Sequence, residues 1–203
     1  MHKVQDIAAL EALYGQPAEA SLIKVIDCLT PDCRCWIGAS RFCVLSTVGP
    51  EGTDGSPRGD DGPVVHIADD RTLLLPDWRG NNRMDSLRNI VRDGRVSLVF
   101  LIAGSTTAMR VNGTAHLSVD PDLLAGFGRS EGQPRTVIVI AISEVYSQFA
   151  RALIRAGLWR GVDECVGLPT VGDMLRGVNA GFDGAAYDAD WPGRAVRTMW
   201  ADE

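Results

Sequence analysis

Residues 74–89 read LLPDWRGNNRMDSLRN, an apolar run that leads through a polar turn into a second regular segment. The run over 71–76 predicts a strand, and the spacing over about 83–92 predicts a helix that begins near Asn82. Because a helix N-terminus has unpaired N–H groups and a partial positive charge, arginines there are unfavourable unless an anion binds. Phosphate is the simplest such anion. Four polar residues lie at this predicted helix start: Arg79, Asn81, Asn82 and Arg83.

A simpler interpretation of the same turn is a capped helix. Asn82 is a favourable N-cap, and Asp77 or Asp85 could form ion pairs with the two arginines. The residues of this segment alone do not decide between the capped helix and the phosphate site.

The composition is that of an ordinary globular chain with an acidic balance. Of the 203 residues, 45% are hydrophobic and 23% are charged, which predicts one domain, or two small ones, with a sizeable core. The formal net charge of -6 argues against broad, non-specific binding of nucleic acid, because such binding needs a basic face. It still allows a small basic pocket for a phosphorylated ligand.

No apolar run is as long as a membrane helix, and the first residues lack the apolar centre of a signal peptide. We therefore expect a cytoplasmic protein with no membrane partner. Reduced thiols are expected in that compartment. The cysteines lack a paired C-x2-C spacing, so structural thiols are favoured over a metal site. The five cysteines are Cys28, Cys33, Cys35, Cys43 and Cys165.

The middle of the chain alternates between short apolar runs and turn clusters. About six short strands, interrupted by the helix near residue 83, favour a small barrel over a parallel sheet. The run 136–142 is the most hydrophobic strand and is predicted to be central. Gly104 and Gly113 do not form a dinucleotide-binding fingerprint. The fold class is therefore predicted as mainly β with flanking helices, an α+β protein.

Helical patterns flank the predicted strands. Apolar residues recur at helical spacing in the first thirty residues and again over 144–159. One short helix is predicted at 171–178. Residues 179–203 are interpreted as an extended arm anchored by Trp191 and Trp200, which could wrap a partner subunit or be loosely ordered.

Several short segments together resemble the pyridoxamine 5'-phosphate oxidase-like, FMN-binding split-barrel family, in particular its FMN-dependent proteins of unassigned substrate. The resemblance covers about residues 35–162, which divides the chain into an N-terminal helical segment (1–34), a split-barrel FMN-binding domain (35–162) and a C-terminal extension (163–203). The matching segments are FCVLST (42–47), SPRGD (56–60), LLPDWRGNNR (74–83), SLRNI (86–90), RVSLVF (95–100), MRVNG (109–113) and IRAGLW (154–159).

The resemblance implies a six-stranded antiparallel split β-barrel that forms a homodimer with FMN at the subunit interface. It implies that the backbone of 75–77 follows the isoalloxazine edge, and that two residues reach the flavin from the other subunit, Arg155 and Trp159. The remaining residues implied to bind the cofactor are Arg58 and Gly59 beside the ring and phosphate, Asp77 beside the ring, and Arg79, Asn81, Asn82 and Arg83 around the phosphate.

The resemblance implies an FMN-dependent oxidoreductase that acts on a small organic substrate, with NAD(P)H as a possible hydride donor. Three alternatives remain: a flavin-binding carrier or sensor without turnover, a split barrel that binds heme or a deazaflavin, and a dimeric scaffold without a cofactor. True pyridoxamine phosphate oxidases have a Ser-Arg-Lys run before this helix and substrate-phosphate motifs near the C-terminus. This sequence has neither, so oxidation of vitamin B6 is not expected. No catalytic triad or carboxylate pair stands out, so no catalytic residue is assigned.

Overall fold

The computed structural model describes residues 2–130 and 132–200. The helices are α1 (Ile7–Tyr14), α2 (Glu19–Ile23), α3 (Pro31–Gly38), α4 (Asp85–Arg92), α5 (Pro121–Ala125), α6 (Arg151–Ala156), α7 (Val171–Val178) and α8 (Gly184–Arg197). The strands are β1 (Phe42–Gly49), β2 (Gly52–Gly59), β3 (His66–Ile67), β4 (Thr72–Asp77), β5 (Arg95–Leu101), β6 (Thr107–Ser118) and β7 (Thr136–Phe149). Within the described ranges, no helix has the length and apolarity needed to cross a bilayer.

The strands form one antiparallel sheet in the order β2-β1-β5-β6-β7-β4-β3. The prediction of a mainly β fold with flanking helices is confirmed. The sheet has seven strands where six were expected, because the short apolar segment before β4 adds the two-residue strand β3. Its end strands, β2 and β3, do not pair with each other in the described part of the chain, so the barrel is open.

The core lies inside this curved sheet. Residues on alternate positions of β1 and β5 are buried, as a strand with one face toward a core requires. The largest fully buried side chains include Leu45, Leu73, Leu98, Phe100 and Ile138. Helix α4 closes one side and contributes Ile90, which is 3% exposed.

The helix predicted over 144–159 is wrong for most of its length. Strand β7 continues to Phe149 because its whole second half pairs with β6, and only α6 is helical in that range. An i, i+4 spacing of apolar residues does not distinguish the two structures here, since valine, tyrosine and phenylalanine also favour strands. Val145 points into the core and is 0% exposed.

A β-bulge divides the long β6–β7 ladder. Asn112 lies opposite Glu144 while Gly113 lies opposite Ile142, so Ser143 is an extra residue on β7. Strands β6 and β7 approach each other very closely at this point. A Cβ added to Gly113 would lie 2.0 Å from the Ala141 carbonyl oxygen, so only glycine fits without a shift.

The C-terminal region is more helical than predicted. The helix expected at 171–178 is confirmed as α7, which has a capping box between Thr170 and Asp173. The extended arm is wrong where α8 forms: Asp183 accepts a hydrogen bond from the Ala186 N–H and caps that helix. Residues 201–203 of the predicted arm lie outside the described residues.

Helix α4 is fixed to the sheet by two polar contacts. The buried Asn89 side chain donates to the Thr47 hydroxyl at 3.1 Å, and the Ser86 hydroxyl donates to Asp54 on β2. A Cβ on Gly49 would lie 2.2 Å from the Asn89 Oδ1, so the Asn89 side chain packs directly against the backbone of β1. These contacts determine where the N-terminus of α4 lies.

We expect the substitution Asn89→Ala to lower the free energy of unfolding by about 1–3 kcal/mol, because it leaves the Thr47 hydroxyl buried without its partner. Urea denaturation measures the change. Val91→Ala, at a site 72% exposed on the same helix, is the control and should change stability by less than about 0.5 kcal/mol. Equal stability of the two variants would contradict the assigned role of Asn89.

Candidate functional site

A cleft of about 1240 Å³ lies between β2, the end of β4 and the start of α4. The loop 78–84 forms one edge, and the C-terminal region contributes a second group of side chains. Small-molecule sites usually occupy about 300–1,000 Å³, so the cleft is large enough for a cofactor and a second molecule. Residues that line it include Asp54, Arg58, Gly59, Asp60, Asp77, Trp78, Arg79, Asn81, Asn82, Arg83, Arg135, Thr136, Trp191, Met199 and Trp200.

An ion pair between Arg58 and Asp77 crosses the cleft floor. The Arg58 Nη1 lies 2.5 Å from the Asp77 Oδ1, and both side chains are less than a fifth exposed, at 19% and 15%. Two other polar atoms here are buried and have no hydrogen-bond partner: the Arg58 Nε and the Thr136 Oγ1. Buried polar groups are nearly always paired in folded proteins, so these two atoms mark a place for ligand atoms.

The loop between β4 and α4 is a tight polar turn. Asn82 and Met84 have φ angles of 59° and 60°, in the left-handed region that non-glycine residues seldom adopt. The Arg83 N–H donates to the Asn81 Oδ1 at 3.0 Å, and the Arg135 side chain donates to the Asn82 Oδ1 at 3.0 Å. The turn therefore uses its own amide side chains to hold its shape.

The predicted cap at Asn82 is wrong. Helix α4 begins at Asp85, and its N-cap position is Met84, which has no side-chain cap. The helix starts later because the left-handed residues at 82 and 84 turn the chain before it can become helical. The predicted pairing of an arginine with Asp85 is confirmed: the Arg83 Nε lies 2.7 Å from the Asp85 Oδ2 in an exposed pair.

A second charged group lies where β2 ends. The Asp60 side chain accepts from the Trp78 Nε1 at 3.1 Å and from the Arg129 Nη2 at 2.5 Å. Arg129 also pairs with Asp61 at 2.9 Å, and hydrogen bonding with Asp60 and Arg129 lowers the pKa of Asp61. The Asp61 carboxylate is thus held in the charged form beside a cation.

Strand β1, next to β2, carries a thiol that is not available for chemistry. Cys43 lies opposite Arg58 in the β1–β2 ladder and is 0% exposed. Burial raises the pKa of the Cys43 thiol to about 12, although the nearby Arg58 charge acts in the other direction. The thiol is therefore neutral at physiological pH and is not a nucleophile.

The structure brings seven of the nine predicted cofactor residues to this one cleft: Arg58, Gly59, Asp77, Arg79, Asn81, Asn82 and Arg83. Arg155 and Trp159 do not line it. Arg155 belongs to α6, and the Trp159 Nε1 donates to the Ser105 carbonyl at 2.8 Å. Since both were assigned to the flavin of the other subunit, their contact with a flavin stays a prediction.

Sequence reasoning did not find several side chains of the cleft. Arg129 and Arg135 come from the segment before β7, and Thr136 is the first residue of that strand. Their contacts with residues 58–82 span more than fifty positions, and no local pattern marks such pairs. Among the described residues, no group of three His, Cys, Asp or Glu side chains is placed to hold a metal ion.

Comparison with known families agrees with this arrangement. A family model for pyridoxamine 5'-phosphate oxidase matches residues 29–149, more than half of the chain. The chain belongs to the pyridoxamine 5'-phosphate oxidase family. The match confirms the resemblance. The matched residues include every predicted cofactor residue except Arg155 and Trp159.

Solved structures similar to this family member have low sequence identity to it. HupZ from Group A Streptococcus is 17% identical over 60% of this chain and 95% of that chain, with a TM-score of 0.48. A candidate pyridoxamine 5'-phosphate oxidase from Lactobacillus delbrueckii is 24% identical over 60% and 95%, with a TM-score of 0.49. An FMN-binding protein from Syntrophomonas wolfei is 13% identical over 56% and 82%, with a TM-score of 0.44. No curated protein matches this family member.

We expect Cys43 to resist alkylation at pH 8, because a pKa near 12 leaves about one thiol in ten thousand ionised. The exposed Cys35 and Cys165 should react readily. Intact mass after iodoacetamide treatment measures the number of modified thiols, and the same reaction in urea should modify all five. Rapid modification of Cys43 in the folded protein would contradict the burial described above.

Proposed function

We propose that this protein binds FMN in the cleft and acts as an oxidoreductase on a small organic substrate. One observation carries the proposal. Residues from β2, from β4 and from the loop 78–84, singled out by family resemblance, line one cleft that also has unpaired buried polar atoms. Bound FMN would supply hydride transfer, and the protein would supply orientation, charge and access.

Residues 79–84 and the start of α4 fit the phosphate of FMN. Arg79 and Arg83 bring positive charge to the side of the cleft where the backbone N–H groups of α4 begin. The Arg83–Asp85 pair is exposed at 77% and 43%, so a phosphate could replace the carboxylate with little loss. Asn81 and Asn82 hold the turn in the shape that presents these groups.

The end of β4 fits the edge of the isoalloxazine ring. Strand β4 pairs with β7 along its whole length, whereas β3 pairs only with Leu73 and Leu74 on the other side. Within the described residues, the second edge of 75–77 therefore has no strand partner. Backbone groups on that edge, the Arg58 Nε and the Thr136 Oγ1 would supply donors and acceptors to the heteroatoms of the ring.

The phosphate assignment predicts a ligand-specific effect of Arg83→Ala. We expect the Kd for FMN to rise about tenfold or more, because a charge-assisted hydrogen bond contributes about 1.5–3 kcal/mol. The Kd for riboflavin, which lacks the phosphate, should change by less than about twofold. Quenching of flavin fluorescence on titration measures both constants.

Arg95→Ala is the matched control for this test. Arg95 is 69% exposed and pairs with Asp93 through its Nε at 2.6 Å, as Arg83 pairs with Asp85, but it does not line the cleft. It should leave both dissociation constants unchanged. Equal losses of FMN and riboflavin affinity in Arg83→Ala would place the phosphate elsewhere.

A homodimer is part of the proposal. Helix α1 has no buried residue, and its apolar side chains Ile7, Leu13 and Tyr14 are 67%, 70% and 82% exposed. An exposed apolar surface of this kind favours burial against a second copy of the chain. We expect light scattering to give twice the 21.9 kDa mass of the chain. A monomer at micromolar concentration would refute the dimer, and with it the role of Arg155 and Trp159 across the interface.

Two measurements separate this function from its alternatives. The absorbance spectrum and the mass of the released group distinguish FMN from heme or a deazaflavin. Steady turnover of the FMN-loaded protein with NADH or NADPH and an acceptor distinguishes an oxidoreductase from a carrier or sensor. All five cysteines are free, which favours a reducing compartment, and cell fractionation tests the proposed cytoplasmic location.

A further inference from the structure

The C-terminal end of the described chain lies in the cleft. After α8, the side chains of Met199 and Trp200 join Trp191 in lining it. The Trp200 ring meets the Trp78 ring edge to face, with centroids 5.5 Å apart and planes at 79°. This is a favourable aromatic geometry, and it connects residues that are more than a hundred positions apart.

Arg129 fixes this contact. Its guanidinium carbon lies 4.2 Å from the Trp200 ring centroid and 5.0 Å from that of Trp78. The same guanidinium pairs with Asp60 and Asp61, and Asp60 is only 5% exposed. One cation thus joins four other side chains from three separate segments.

The packing of helices α7 and α8 does not account for the position of Trp200 in the cleft. Helices α7 and α8 pack chiefly on each other, with the Asp188 carboxylate accepting from the Thr170 hydroxyl and from the Gly172 N–H. The contacts of Trp200 therefore connect this helical pair to the sheet. Such a connection can open without unfolding either part.

Trp200 lies at one end of the cleft. Asp54 is in the first half of β2 and Asp60 directly follows the last residue of that strand, so about 20 Å of extended chain separates the two residues. Ser86 of α4 bonds to Asp54 at one end, beside the proposed phosphate site. Trp78 and Trp200 lie at the other end, which is rich in aromatic surface and suits a flat ring.

We propose that residues 198–200 form a strap over the ligand site, in which Trp200, held by Arg129, covers the ring end of the bound molecule. The inference rests on the proposed function, because it takes FMN as the bound molecule. Trp200 and Arg129 must separate for FMN to leave. The strap therefore controls the residence time of FMN and the space left for a second, planar substrate.

The first test measures the rate of FMN release from the full chain. Trp200→Ala should raise the dissociation rate constant about tenfold or more, and Trp200→Phe, which keeps an aromatic ring, should stay within about threefold of the unmodified chain. Val196→Ala, at a site 73% exposed on α8 that does not line the cleft, is the control and should release FMN at the original rate. An unchanged rate in Trp200→Ala overturns the strap.

The second test needs no ligand. In FMN-free protein, Arg129→Gln should speed amide hydrogen exchange of residues 198–200 while leaving the exchange of β6 and β7 unchanged, which shows that the fold is intact. Unchanged exchange of 198–200 overturns the role of Arg129. If exchange is faster in Arg129→Gln but the unmodified chain does not bind FMN, the contact between Arg129 and Trp200 stands. The proposed function and the ligand role of Trp200 are then both refuted.

Discussion

The arrangement of the cleft depends on the ion pair between Arg58 and Asp77. The two residues belong to β2 and β4, which are the first and sixth of the seven strands, so the pair connects opposite sides of the open sheet. A half-buried pair of this kind is costly to break, because either charge left alone would be poorly solvated. The pair therefore holds the two walls of the cleft at a fixed separation.

The polar groups of the cleft form two separate sets around this pair. Toward α4, the charges are exposed and only loosely paired, so an incoming anion can compete for them. Toward Trp78, the charges are enclosed between indole rings and fixed by several contacts at once. A ligand with a phosphate at one end and a flat ring at the other matches this difference. The two ends of the cleft thus differ in charge and in aromatic surface before any ligand binds.

Much of the fold and of the candidate site could be predicted from the sequence, because the informative residues are neighbours in the chain. The turn 77–83 places most of the predicted ligand residues in one loop, and Thr170 with Asp173 marks the start of α7 within four positions. Errors arose where long-range contacts decide the structure. The second half of β7 is a strand because β6 pairs with it, although its own apolar spacing also fits a helix. No local pattern marked Arg129 as a site residue, since its partners Asp60, Asp61 and Trp78 are more than fifty positions away in the sequence.

The extra residue in β7 determines which strands can face each other. Within β7, only residues 136–141, which precede Ser143, pair with β4, whereas the residues after Ser143 pair with the first half of β6. An inserted residue bends a strand and increases its twist, so the two halves of β7 belong to different walls of the barrel. Without the extra residue, the same pairs would continue as one regular ladder, and the added bend and twist between the two halves of β7 would be lost. The direction in which β4 carries Asp77 toward Arg58 therefore depends on a single inserted residue in β7.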